Sequence, residues 1–180
     1  MKAKKLSLYV LGISLGFFLL NSCKKHEDAQ FGHLSVQLTD APGNFQQVNV
    51  DIQTVSIHLV PDSGSGSGSK WIDLPTKSGI YDLLKLQNGI DTSIVDSVQL
   101  AAGKITQMRL LLGNKNTVMV DSVIHDLTVP SGSQSGIKIH GDIVVTPNHT
   151  VHVLIDFDAN ESIVHTGSNK YQLKPVIKTL

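Results

Sequence analysis

Period-two alternation of apolar and polar residues constrains this chain more than anything else in it. Gly32-His33-Leu34-Ser35-Val36-Gln37-Leu38-Thr39 places Leu34, Val36 and Leu38 on one face of an extended strand. Asp40-Ala41-Pro42-Gly43-Asn44 then stops that strand, since proline presets φ and glycine tolerates positive φ. Val48, Val50 and Ile52 alternate next, and Val55, Ile57 and Leu59 resume in the opposite phase. A phase slip inside an otherwise continuous strand predicts a bulge.

The same pattern runs to the C-terminus. Ser63 to Ser69 alternates serine and glycine and reads as a flexible loop, after which Trp71-Ile72-Asp73-Leu74 resumes a strand. Tyr81 to Gly89 has helical character, enough for a single turn closed by Gly89. Ile94 to Leu100 is followed by an Ala101-Ala102-Gly103 break and by a run from Lys104 to Leu112. Strict alternation in that run puts Thr106, Met108, Leu110 and Leu112 on one face. Ile105, Gln107, Arg109 and Leu111 take the other. Thr117 to Val120, Val123 to Val129 and Ile137 to Val145 follow as strands. Thr150 to Phe157 turns Val151, Val153, Ile155 and Phe157 inward, and Lys170 to Ile177 closes the domain. About eight or nine short strands at this spacing predict an antiparallel β-sandwich with Greek-key type connections. The lack of a long amphipathic helix argues against a parallel α/β fold.

The N-terminus has a different chemistry. Met1 to Lys5 is basic, Leu6 to Leu20 is an apolar run too short to span a bilayer comfortably, and Leu20-Asn21-Ser22-Cys23 closes it. This order predicts a secretory signal over residues 1–22. The placement of Cys23 resembles the lipobox of bacterial lipoproteins, which implies acylation of the thiol. One acyl chain anchors only weakly, so stable membrane attachment rests on the multi-chain modification that the resemblance implies. Residues 23–31 then form a polar tether and residues 32–180 a single β-sandwich domain. Lys24 follows the cysteine where an aspartate would signal inner-membrane retention, so an outer-membrane address in the cell envelope is expected. Cys23 is the only cysteine, so no disulfide forms within the chain and packing must hold the domain. Fifteen basic and fifteen acidic side chains leave the chain formally neutral, and no basic stripe interleaved with aromatics points to nucleic acid.

Several separated segments together carry a family resemblance. They are Leu38-Thr39-Asp40-Ala41-Pro42, the Trp71 strand, Asp82-Leu83-Leu84 with Asn88-Gly89, Pro130 to Lys138, Asp156-Phe157-Asp158-Ala159 and Tyr171-Gln172-Leu173-Lys174-Pro175. In this order the chain resembles the domain-of-unknown-function 4382 family of Bacteroidetes-type lipoproteins. The resemblance implies an all-β sandwich on the cell envelope, of a transthyretin-like or carbohydrate-binding-like sort. It supplies no catalytic residues.

Candidate chemistry is sparse. Asp156 and Asp158 stand two apart, so on an extended strand both carboxylates emerge opposite Phe157, about 7 Å apart at the α-carbons. With Asn160 and Asp40 they would offer oxygens to a hard cation such as calcium. The plainer readings are solvated carboxylates and, for Asp40, an Asx-type cap of the Ala41-Pro42-Gly43 turn. No EF-hand spacing is present, and no other cofactor is implied. Ser135-Gly136-Ile137-Lys138 matches Ser-x-x-Lys formally, but it leads into a strand and lacks the partner motifs. The eight histidines are scattered, and His149 and His152 fall on opposite faces of a strand. Trp71 is either a sugar-stacking platform or core packing. Asp96-Ser97-Val98 and Asp121-Ser122-Val123 resemble the Asp-Ser/Thr-aliphatic sites of O-glycan attachment, at Ser97 and Ser122.

The expectation is a lipid-anchored envelope domain that binds a carbohydrate or another envelope protein and is not an enzyme. A structural adhesion or assembly component and a hydrolase with a dispersed site are the alternatives. Labelled palmitate is expected to enter the wild-type chain and hold it in the floating membrane fraction. Cys23→Ala is expected to take up no label and to leave that fraction, as membrane flotation will read.

Overall fold

The computed structural model describes residues 30–62, 68–130 and 136–179. The signal segment, Cys23 and most of the Ser63 to Ser69 loop lie outside the described residues. The described chain is nearly all β. In order it forms β1 (Phe31–Asp40), β2 (Gln47–Pro61), β3 (Lys70–Asp73), β4 (Gly79–Asp82), a 3₁₀ turn (Leu83–Leu86), β5 (Thr92–Ala101) and β6 (Gly103–Leu112). Then come β7 (Thr117–Val120), β8 (Val123–Thr128), β9 (Ile137–Val145), β10 (Thr150–Phe157), the one-turn helix α1 (Ala159–Ser162), β11 (Ile163–Gly167), β12 (Lys170–Leu173) and β13 (Ile177–Thr179).

Two sheets face each other as an open sandwich rather than a closed barrel. The smaller has the order β13-β10-β1-β5, and the larger β11-β12-β8-β7-β2-β6-β9, with β3 and β4 also on β2. The all-β sandwich read from the sequence is present, but its sheets are mixed rather than purely antiparallel. β1 pairs with β10 in parallel, and so does β8 with β12. Neither pair is joined by a hairpin, so no short turn dictates an antiparallel direction. One continuous core lies between the sheets, with Leu34, Val36 and Leu38 of β1 and Val153, Ile155 and Phe157 of β10 buried in it.

β2 is the spine of the larger sheet. Ile52 pairs with both Leu112 of β6 and Gly79 of β4, while Asn49 pairs with both Thr117 of β7 and Asp82 of β4. A strand has two edges, so β6 and β7 lie end to end on one of them and β4 on the other. Ser56 pairs with Arg109 of β6 and Asp73 of β3, which puts β3 beside β4 on that second edge. The expected bulge is there, since the register against β6 shifts between Ile52 and Thr54. The extra residue restores the phase, and Val48, Val50, Ile52, Val55, Ile57 and Leu59 all point into the core.

Where β6 gives way to β7, the edge of β2 loses its strand partner and a turn replaces it. The Gly113 amide donates to the Asp51 carbonyl at 2.7 Å, and the Asp51 amide donates to Asn116 Oδ1 at 2.9 Å. Asn116 Nδ2 donates to the Gly113 carbonyl at 2.8 Å, and the Asn116 carbonyl accepts from Leu127 of β8 at 2.8 Å. Asp51 and Asn116 keep only 5% and 1% of their surface exposed, so these bonds are made out of reach of water. A β-carbon on Gly113 would overlap the Asp51 carboxylate, so glycine is required there by space.

Two further strand expectations are corrected. A second bulge at Thr106 shifts the register of β6 against both β2 and β9. Ile105 is therefore buried with Met108, Leu110 and Leu112, while Thr106 turns away. The closing run Lys170 to Ile177 is two strands broken around Pro175, with β12 in the larger sheet and β13 in the smaller. Proline offers no backbone donor, so the ladder ends and the chain crosses over. The strand β11 and the turn α1 lack a strong periodic signal because both are short and half exposed. The helical turn is a 3₁₀ turn over Leu83–Leu86 that ends on an extended Gln87, so Gly89 does not close it; Asn88 and Gly89 form a separate turn at φ 59° and 81°.

Asn116→Ala leaves the buried Asp51 amide without an acceptor and the Gly113 carbonyl without its donor. It is expected to destabilise the fold by about 2–4 kcal/mol, measured as a lower denaturant midpoint at unchanged slope.

Candidate functional site

The outward face of the larger sheet is built by the residues that alternate with its core. Across β3, β2, β6 and β9 the register aligns Trp71 with His58, Gln107 and His140, and then Asp73 with Ser56, Arg109 and Lys138. Trp71 is therefore not core packing. It keeps 37% of its surface exposed on this outer face. The Arg109 guanidinium lies 3.7 Å from the centroid of the indole, and the His58 ring is tilted against it at 5.3 Å. His58 is itself held through Nδ1 by Thr106 Oγ1 at 2.8 Å, a bond the Thr106 bulge makes geometrically available. Cation–π contact of this kind contributes about 0.5–2 kcal/mol and orients the ring. Ser56 Oγ donates to Asp73 Oδ1 at 2.6 Å, and Lys104 pairs with Asp142 at 2.9 Å.

A second feature of the same face is an open groove of about 720 Å³ beside the Asp51 junction, lined by Asp51, Gln53, Gly79, Ile80 and Lys115 among others. The Asp51 carboxylate at its floor already accepts from Gln53 Nε2 and the Lys115 amide. Its oxygens serve the fold first.

The aspartate group predicted to offer cation ligands is arranged as a capping junction. Asp40 is 4% exposed. Its Oδ1 accepts from the Ala159 amide at 2.9 Å and its Oδ2 from Gln87 Nε2 at 3.0 Å. Its side chain thus caps α1 from 119 residues away rather than the adjacent Ala41-Pro42-Gly43 turn. Asp158 is not on the strand, because β10 ends at Phe157. It is the N-cap of α1 and accepts from the Glu161 amide at 2.9 Å. Asp156 stays on β10 beside Thr39 and Lys178, with Oδ1 buried and unpartnered. Among the described residues no group of three or more His, Cys, Asp or Glu is placed to hold a metal ion. Desolvation raises the Asp40 carboxyl to about 6, against the pull of the Gln87 and Ala159 donors, and the Asp158 and Asp156 charges add to the rise.

Ser97 is exposed on β5, an edge of the smaller sheet, next to an Asp96 that Lys77 holds at 2.6 Å. Ser122 is exposed at the β7–β8 turn with φ 62°, its amide bonded to Gln46 Oε1 at 2.7 Å. Both hydroxyl positions are on the surface. Cys23 and Ser135 lie outside the described residues, and Lys138 of the Ser-x-x-Lys match is on β9. The sequence reading passed over Arg109 and His58 as site residues. The signal was there, since both fall in the outward phase of strands that flank Trp71. It also passed over a stack in which the His125 and His165 rings each lie 4.9 Å from Tyr171, because strand pairing alone brings these three together.

Fold and face together define an all-β sandwich domain carrying an exposed aromatic–cationic platform. The chain belongs to the family described as a domain of unknown function (DUF4382), whose model matches residues 31–175. No curated protein and no solved structure matches it.

The raised Asp40 carboxyl has a definite sign. Between the ordinary value of 3.8 and about 6 the folded chain holds a proton that the unfolded chain has lost. The contribution of Asp40 to stability is therefore fully present below that window and falls as pH rises through it, by about 2–3 kcal/mol. Asp40→Asn keeps an acceptor for the Ala159 amide and is expected to flatten this part of the curve, read as melting temperature against pH.

Proposed function

We propose that this protein is a lipid-anchored cell-envelope domain that binds a carbohydrate without transforming it. The observation that carries the reading is the exposed Trp71 indole, oriented by Arg109 and His58 on the outer face of the larger sheet. Arg109 Nε has no access to solvent while the indole keeps its exposure, which fits a guanidinium tucked beneath the ring with the outward face open. An open aromatic face packs against the apolar ring hydrogens of a pyranose. Gln107, His140 and Lys138 lie in the neighbouring register positions and offer hydrogen-bonding groups to sugar hydroxyls. Lipidation at Cys23 and an outer-membrane address are part of this proposal and rest on the N-terminal sequence.

An adhesion or assembly component is the second reading. β9 ends the larger sheet, so its outer edge carries no strand among the described residues and is open to another chain.

On a glycan array, the full-length chain in detergent is expected to bind a defined set of glycans. Trp71→Ala is expected to lose that binding, and Trp71→Phe to recover part of it at an unchanged melting temperature. Binding that survives Trp71→Ala would overturn the assignment of this face. Silence on the array with self-association in sedimentation would favour the edge-strand reading.

A further inference from the structure

We propose that the Trp71 face selects a negatively charged saccharide, one bearing carboxylate groups, through Arg109 and Lys138. The inference deepens the carbohydrate reading above and rests on it. Arg109 and Lys138 stand directly opposite each other on β6 and β9. Like charges in that relation have β-carbons about 5 Å apart and destabilise a sheet, so the pair is an internal cost unless an anion meets it. No acid among the described residues is paired with either. The ion pairs among the described residues are Lys77–Asp96, Lys85–Asp82 and Lys104–Asp142. Neither Arg109 nor Lys138 has an anionic partner there, and Arg109 Nε has no acceptor at all. Of the acids nearest in register, Asp142 is paired with Lys104, and Asp73 accepts from the Ser56 hydroxyl and makes no ion pair with Arg109 or Lys138.

The chain as a whole is neutral, so this uncompensated pair is a local choice rather than a by-product of a basic protein. Its position matters equally. The guanidinium lies 3.7 Å from the indole centroid and Lys138 pairs with Arg109 on the next strand, so a substituent that overhangs the edge of a sugar stacked on Trp71 is directed toward this pair. A carboxylate on that ring would accept charge-assisted hydrogen bonds from a guanidinium and an ammonium, which are stronger than bonds between neutral groups. Neutral sugars would gain the stacking and forgo the ion contact. His58 and His140 flank the pair and extend the donor-rich strip.

The test uses the full-length chain in detergent, titrated calorimetrically with oligogalacturonate and with its neutral methyl ester. The acid form is expected to bind about tenfold tighter, the size of one charge-assisted contact, and to weaken as salt rises from roughly 50 to 300 mM. Lys138→Glu, at an exposed position, is expected to erase the difference between acid and ester. Trp71→Ala is expected to abolish binding of both. If acid and ester bind equally and Trp71→Ala abolishes both, charge selection is wrong while the carbohydrate reading stands. If neither binds, this inference fails for carboxylate sugars, and the carbohydrate reading is then decided by the glycan array. Binding of the acid that persists in Trp71→Ala is ion exchange at the surface and overturns the inference too.

Discussion

One buried amide holds the larger sheet in its shape. At the junction of β6 and β7 the Asp51 backbone would face an empty edge, and the Asn116 side chain takes the place of the missing strand. A buried backbone amide without an acceptor costs on the order of 1–3 kcal/mol, so this substitution of side chain for backbone lets one long strand serve two separate neighbours. β6 with β9 then spreads to one side of the turn, and β7 with β8, β12 and β11 to the other. The branching of the sheet from β2 and the groove at Asp51 follow from that division.

A second junction performs the same service at the other end of the chain. Asp40 reaches from the end of β1 to cap α1, the Asp158 amide bonds the Val176 carbonyl, and Ser162 receives the amides of Lys174 and Val176. This turn steers the crossing from β12 in one sheet to β13 in the other. The carboxylate at its centre is desolvated and close to two like charges, which is why it resists ionisation although two donors point at it. Asp40 and Asp158 thus serve chain connection through bonds to the amides of Ala159 and Glu161, while Asp156 Oδ1 lies buried beside them without a partner.

The outer platform inverts this logic. Inside the fold, most buried polar atoms have a partner; beside Trp71, Arg109 and Lys138 face each other with no ion pair to either among the described residues, and Arg109 Nε has no acceptor. Cores and junctions satisfy polar groups because water cannot, whereas groups on an outer face are left to solvent, and the proposed ligand would meet them there. The aromatic ring at its centre is held by contacts within the protein and so is presented with little conformational freedom left to lose on binding.

Much of this was legible in the residues. The alternation of Leu34, Val36 and Leu38, the phase slip between Ile52 and Val55, and the inward set of β10 all correspond to what is buried. Such local patterns are set by the pleat itself, which every strand carries within its own few residues. The Thr106 bulge escaped because polar Thr106 and apolar Ile105 sit in an alternation that reads smoothly either way. The platform was half visible: Trp71 stood out by type, while Arg109 and Lys138 looked like ordinary charges on separate runs.

The sequence by itself determined that this chain makes strands, which of their faces are apolar, and that no disulfide within it reinforces them. Only the tertiary structure decided which strands pair, that two of the pairings are parallel, that Asp40 caps a helix from the far end of the chain, and that Trp71, Arg109 and Lys138 share one face. The reason is physical. Alternation is fixed by neighbours along the backbone, but pairing is settled by the burial of the whole core at once, so contacts between distant residues have no local signature.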